Sequence, residues 1–526
     1  MRISFISLVL AAGLAAPAVA RSQEHAHTGD ELGNVAFPTS CNAEAQARMN
    51  RAVAMLHSFW FPEARKTFES VVTADPSCGI AYWGIALTHF GNPVAGGSTA
   101  PGQAAGSAAA QTGVRTGAKS DRERAYIDAA ATLFRDHSTV DNRTRMAAYL
   151  SSLNDIVGRY PQDTEAKIFH ALFLVATSPP TDLTFAQQKR AAETLTRLYR
   201  DQPRHPGLAH YIIHSFDSPP LAALALDAAR QYAGIAPAAP HALHMPSHIF
   251  TRLGYWDESI NTNRRSADLE PSPGGKAHPL DYMVYAYLQQ GRDDAARKAI
   301  EEIGGSTSGE YIAGALGSYN ALAMPARYAL ERDDWTGAAA LKVTSATPSA
   351  EAVTHFAKGL GAARGGNLVL ARQEVAALEK LVADLTAQKD AYWALVVDAQ
   401  RLAVSAWVAH AEGRHAEAVP LARAAADKED EVEKHPVTPG PLIPARELLG
   451  DILMVHSQPA AALEAYEATL RREPNRTRTL VGAARAAKAA GKADVAKKYY
   501  AAVIAGIDRQ SARPELREAT LFVSPR

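Results

Sequence analysis

From Ala45 to about residue 510 the chain is written in helical periods, apolar clusters separated by short polar breaks. Phe61-Pro-Glu-Ala64-Arg-Lys-Thr-Phe68 and Ala81-Tyr-Trp-Gly84 open the pattern near the N-terminus. Gly254-Tyr-Trp256, Gly291-Arg-Asp-Asp294, Asp333-Asp-Trp335, Gly365-Gly-Asn367 and Gly413-Arg-His415 read as tight turns between paired helices. Each turn is followed by a small residue, Ser259, Ala295, Ala338, Ala371 or Ala418, where two helices must approach closely. Pro203, Pro237 and Pro271 recur with a 34-residue step. A fixed period of this size predicts an all-α array of stacked antiparallel hairpins with no sheet.

The small and large positions have a specific register. Ala64, Phe68 and Pro76 are spaced as positions 20, 24 and 32 of a 34-residue unit. Gly450, Ala462, Tyr466 and Pro474 fill positions 8, 20, 24 and 32, and Ala484, Ala496 and Tyr500 follow 34 residues on. On these residues the chain resembles the tetratricopeptide repeat (TPR) family. The resemblance covers most of residues 45–510 and weakens across 91–160 and 305–320. It implies an α-solenoid whose first helices line a concave groove, with a peptide or protein ligand held there. The block Pro240-His-Ala-Leu-His-Met-Pro-Ser-His-Ile-Phe250, followed by Gly254-Tyr-Trp256, is similar to a set of exported bacterial TPR proteins. Fold and repeat placement transfer from that set, and no activity does.

Punctuation divides the chain further. Residues 1–20 hold a single Arg2, the apolar run Ile3–Leu14 and the small-residue ending Ala18-Val-Ala20. That is the pattern of a secretory signal, cleaved near Ala20, and its apolar core is too short for a membrane span. The expectation is an exported protein, periplasmic or extracellular. Residues 21–44 read as a polar arm, in which His25 and His27 belong to solvated tail, with weak metal binding as the alternative. Residues 45–303 form a His-rich array, 304–310 a Gly/Ser joint and 311–526 a second array. Residues 91–119 combine a weak Ala-rich helix with loop, and Ser120-Asp-Arg-Glu123 is a capping box. Lys428–Lys434, followed by His435-Pro-Val-Thr-Pro-Gly-Pro441, reads as a solvated helix end and a stiff loop, with packing of that loop over the groove as the alternative.

Composition narrows the function classes. The 526 residues are too many for one compact core. Lys+Arg and Asp+Glu balance at 55 each, so no broad basic surface invites nucleic acid or anionic lipid. No later segment reaches about 18 consecutive apolar residues, so no membrane span is expected. Cys41 and Cys78, just before the first helix of a hairpin and just after its second, read as one disulfide. Zinc-protease, serine-hydrolase, Walker and dinucleotide motifs are all missing, as is a Cys-x-x-Cys-His haem site.

The chemistry-bearing residues are histidines. His210, His244 and His278 are each 34 residues apart, and so are His214 and His248, whose next equivalent is Tyr282. His210/His214 and His244/His248 are i, i+4 pairs on one helical face, and His241 joins the second pair at three residues' distance. The TPR resemblance places all six imidazoles on the concave face. His210, His214, His244 and His248, with His241 and His278 at the rim, form a candidate site for a divalent metal, Zn or Cu. Hydrogen bonding between helices, or contact with an acidic or aromatic ligand, are the alternatives. Asp217 and Asp281 could orient an imidazole or act as a general base, although Asp217, standing before Pro219-Pro220, reads first as an ordinary helix cap. His57 and His89 read as satisfied core histidines, while His170, His355, His410, His415 and His456 are scattered. Two functions follow: a scaffold that binds a partner and carries a metal, or a metal-dependent hydrolase or oxidase.

Overall fold

A computed structural model describes residues 31–308, 319–344 and 347–524. The signal segment, His25, His27 and the last two residues of the Gly/Ser joint lie outside the described residues. Helices succeed one another from Ala43–His57 to Pro514–Val523, and no β-strand occurs among the described residues. Neighbours in sequence pair as hairpins: Ala43–His57 with Phe61–Ala74, Ala391–Ala411 with His415–Glu429, Thr477–Ala489 with Ala493–Gly506. The fold is a TPR-like α-solenoid.

The repeat register has a visible packing cause. Tyr466 is wedged between hairpins, and a Cβ on Gly450 or Gly482 would stand 2.7 or 2.6 Å from its ring. Phe68 and Gly84 repeat the arrangement at the other end, where the corresponding distance is 2.3 Å. An aromatic ring fills the gap to the next hairpin only where the facing helix carries no side chain. In the weak region, Ala100–Thr116 is a helix. Ser120 accepts from the Glu123 amide at 3.2 Å and opens Asp121–Leu133. Cys41 and Cys78 are joined in a disulfide with Cα atoms 5.2 Å apart, tying the two ends of the first hairpin.

The C-terminal half folds back on the middle of the chain. Arg476 is fully buried between Glu331 and Glu447, and its guanidinium reaches the Tyr285 hydroxyl at 3.4 Å. The Thr477 amide donates to Gln289 Oε1 at 3.0 Å, and Trp256 Nε1 donates to the Asn475 carbonyl at 3.3 Å.

Residues 430–444 correct the sequence-based expectation of a solvated loop, because they form a strap across the solenoid's interior. The physical reason is the donor supply beneath it. Pro436, Pro439, Pro441 and Pro444 leave this segment rich in carbonyls and poor in N–H groups. Arg327, fully buried, donates to the Pro441 and Gly440 carbonyls at 2.8 and 2.7 Å and to Thr438 Oγ1 at 2.5 Å. Asp281 holds Arg327 in place through a 2.9 Å ion pair.

Candidate metal centre

Three stretches of helix meet beneath the strap. Pro206–Phe216 begins with proline at its first position, where the missing N–H costs nothing, and ends at Asp217 ahead of Pro219-Pro220. It carries His210 and His214. Gly207 is required there, since a Cβ would stand 2.5 Å from His57 Nδ1. Pro240–His244 and Pro246–Leu253 run on through Met245, interrupted by Pro246, and end at Gly254 with φ +70°. They carry His241, His244 and His248. Pro273–Gln289 supplies His278, Asp281 and Tyr282.

These helices bring all six histidines together as two triads. In one, His210, His214 and His241 offer ring nitrogens within 4.8 Å of one another, and in the other His244, His248 and His278 do the same. His241 and His278 each complete a triad and are its half-buried member, the other four imidazoles being buried. The triads adjoin, with ring centroids 6.1 Å apart for His214–His248 and 5.9 Å for His241–His244. Expected to face an open groove, they are enclosed by the strap. His210, His244 and His248 are no more than 1% exposed.

The outer ring nitrogens are held by fixed acceptors. His210 Nδ1 meets the His57 carbonyl at 2.6 Å, His244 Nδ1 meets Asn263 Oδ1 at 2.6 Å, and His248 Nδ1 meets Asp217 Oδ2 at 2.8 Å. Asn263 spends its amide N–H on the Ser259 carbonyl at 2.7 Å, so its oxygen faces His244 and must accept. With Nδ1 donating in both rings, a neutral His244 and a neutral His248 point bare Nε2 lone pairs at each other. Those atoms are 3.0 Å apart, and His210 Nε2 and His241 Nε2 are 3.2 Å apart. Two nitrogens bound to one tetrahedral ion at 2.0–2.1 Å would be about 3.3 Å apart. His214 Nε2 and His278 Nδ1 are buried with no hydrogen-bond partner.

Electrostatics keep the rings neutral. Burial holds His210, His214, His241, His244 and His278 well below the ordinary 6.5, and neighbouring imidazoles lower each further. His248 is lowered by burial against the opposing pull of Asp217. Burial alone would raise Asp217, but Lys434 and Arg252 more than offset it and keep the carboxylate ionised. Its contacts are 2.9 Å to Arg252 Nε and 3.1 Å to Lys434 Nζ. Asp217 therefore orients His248 and anchors the strap at once.

Asp281 takes neither role expected of it near the imidazoles, being engaged with Arg327 and with Asn320 at 3.2 Å. The Tyr282 hydroxyl lies 3.4 Å from both ring nitrogens of His248 and donates to the Thr438 carbonyl at 3.2 Å. A cavity of about 490 Å³ adjoins the centre, lined among others by His214, Asp217, Lys434, Tyr392, Trp393 and Arg143.

Sequence reasoning missed the layer behind the first triad. Buried Glu165 bridges His57 Nε2 at 2.8 Å and His205 Nε2 at 2.9 Å, and His57 Nδ1 contacts the Tyr211 hydroxyl at 3.0 Å. His57 is thus a satisfied core histidine, as expected, but its carbonyl also positions His210. Glu165 and Lys434 lie well outside the His-rich stretch, Asn263 lies just beyond it, and no local motif marks any of the three.

No protein-family model and no curated protein matches this chain. Among solved structures, it is similar to a tetratricopeptide repeat protein from Parabacteroides merdae at 12% identity and TM-score 0.29, covering 54% of this chain and 98% of that one. The TPR domain of P58(IPK) aligns over 69% of this chain and 98% of its own at 15% identity and TM-score 0.21. The APC/C hetero-tetramer Cut9-Hcn1 aligns over 90% and 96% at 12% identity and TM-score 0.32. The fold described above is read from the helices and their packing.

Proposed function

We propose that this chain is a scaffold-type solenoid built around a buried pair of transition-metal ions, one in each histidine triad. The observation that carries this reading is the 3.0 Å approach of His244 Nε2 and His248 Nε2, both of whose outer nitrogens are already donating. Two facing lone pairs in a buried site repel, and a cation between them turns that repulsion into ligation. Imidazole-only triads favour copper over zinc by the usual divalent affinity order. Charge supports the same choice. Six neutral ligands and one carboxylate already shared by two cations give little compensation for two divalent ions. Monovalent copper, or divalent ions with an anionic bridging ligand, suits the site better.

Export belongs to this reading and is supported by the Cys41–Cys78 disulfide, which persists in oxidising compartments. No helix among the described residues is long and apolar enough to cross a membrane. A metal-dependent enzyme, oxidase or hydrolase, is the second reading. It is favoured by the cavity that His214 helps to line, since the Nε2 of that ring has no hydrogen-bond partner among the described residues. A protein or peptide partner would have to bind elsewhere than the concave face under the strap, because the chain itself covers that face.

The test is metal analysis and copper titration of full-length protein bearing no histidine tag. The reading expects two tightly held ions per chain, with at least one lost in His214→Ala and in His248→Ala and neither lost in His355→Ala. Absence of chelator-resistant copper or zinc from a folded wild-type protein would overturn it.

A further inference from the structure

His410, His415 and His456 looked scattered in sequence, and the structure corrects that reading by bringing them together. His410 lies in the last turn of the helix Ala391–Ala411, His415 begins His415–Glu429, and His456 caps Ala445–Val455. Gly413, at φ +77°, reverses the chain between the first two, a conformation that favours glycine, and both rings then face the same side. His410 Nδ1 and His456 Nε2 are 3.2 Å apart. The His415 ring stands 5.5 and 5.2 Å from the other two without bonding either. One nitrogen from each residue lies within 4.8 Å of the others, His415 is exposed, and the other two are half-buried.

The setting suits a cation-binding site better than a salt-bridged cluster. The acids next along the chain, Glu412 and Glu417, are taken up by Arg372 and Arg414. Among the described residues no carboxylate is paired with any of the three rings. Trp407 packs edge-on to His410 at 5.7 Å, and the Arg364 guanidinium lies 4.2 Å above Trp407, paired with Asp451 at 3.1 Å. His415 is exposed, so solvent reaches the triad and can supply a fourth ligand.

We propose that His410, His415 and His456 form a second metal site, solvent-open and separate from the buried centre, that takes one divalent transition-metal ion. Three imidazoles and water are a donor set for zinc or copper and a poor one for magnesium or calcium. The ion ties together the ends of three helices from successive hairpins. Binding to the folded state alone raises the unfolding temperature as free metal increases.

The experiment is a zinc titration of untagged full-length protein against a chromophoric chelator, with thermal unfolding followed alongside. Wild type is compared with His415→Ala and His456→Ala. His415 is exposed, so its replacement leaves the fold intact. The expected result is the loss of one zinc equivalent per chain in each variant, together with the loss of one zinc-dependent increment in unfolding temperature. Equivalents held by the buried triads stay unchanged. If those triads bind nothing, wild type holds one zinc and the variants none, so the two proposals fail separately. His415→Ala and His456→Ala that both match wild type in zinc stoichiometry and affinity would overturn the proposal, as would a wild type whose only zinc is abolished by His248→Ala.

Discussion

Asp217→Asn is the substitution that probes the centre and its cover together. It preserves side-chain shape and removes one buried negative charge. In the wild type that charge serves three cationic or N–H donors, His248 Nδ1 at 2.8 Å, Arg252 Nε at 2.9 Å and Lys434 Nζ at 3.1 Å. Arg252 keeps a second partner, Glu433, at 3.1 Å. Lys434 pairs with Asp217, and its side chain is only 3% exposed. Removing one member of a buried pair costs about 3–5 kcal/mol, because the other charge is left uncompensated. Metal-free Asp217→Asn should therefore lose about 3 kcal/mol or more in urea unfolding. Lys434→Met in the same chain takes away the stranded ammonium. The double variant should be more stable than the sum of the single losses by at least about 1 kcal/mol. Copper affinity should fall about 10–100-fold, the usual cost of losing an outer partner of a ligating imidazole. Denaturant curves on the four proteins, with competition titrations on wild type and Asp217→Asn, measure each quantity. Wild-type stability in Asp217→Asn, or additivity within about 0.5 kcal/mol, would refute the idea that this carboxylate locks the strap.

Three further outcomes are expected. Cys41→Ala/Cys78→Ala should lower stability by about 4 kcal/mol in the chain-entropy model for a 37-residue separation, and oxidised wild type should show no titratable thiol. Two titratable thiols in protein purified without reductant would contradict this. Glu429, which accepts from the Ala445 amide at 2.7 Å at the foot of the strap, is raised by burial from 4.5 to about 7. The folded state then binds the extra proton between those values. Its contribution is present at low pH and is lost as pH rises through about 7, a swing of about 3 kcal/mol. Glu429→Gln should flatten this part of the stability–pH profile, and an unchanged profile would show that the carboxyl is not the source. Gly450→Ala sets helix propensity against packing. Alanine favours the helix by about 1 kcal/mol, but its Cβ would stand 2.7 Å from a Tyr466 ring pinned by Asp451 at 2.6 Å. Overpacking costs about 1–3 kcal/mol, so urea unfolding should show a net loss, and equal or greater stability would refute the wedge.

Much of this was legible in the order of residues. Helix, turn and small-residue spacing determine the hairpins, because close approach of two helices and insertion of an aromatic ring are local demands repeated every 34 residues. The i, i+4 pairs His210/His214 and His244/His248 and the 34-residue step place imidazoles at matching heights on successive helices for the same reason. The disulfide followed from the ends of one hairpin. Contacts made across a hundred residues or more were decided by the tertiary structure alone. The strap was misread because its polar composition suits solvent, and only the buried Arg327 donors and the Lys434–Asp217 pair make an interior path favourable. Glu165 (at His205), Asn263 and the His410–His415–His456 triad meet partners much nearer in sequence, but no motif or repeat register marks those pairings, so packing alone decides them. The division of six histidines into two enclosed triads belongs to the same class. Period and helix geometry determine which face a side chain occupies. The curvature of the stack and the return of the chain across it decide which faces meet and which are shut away from water.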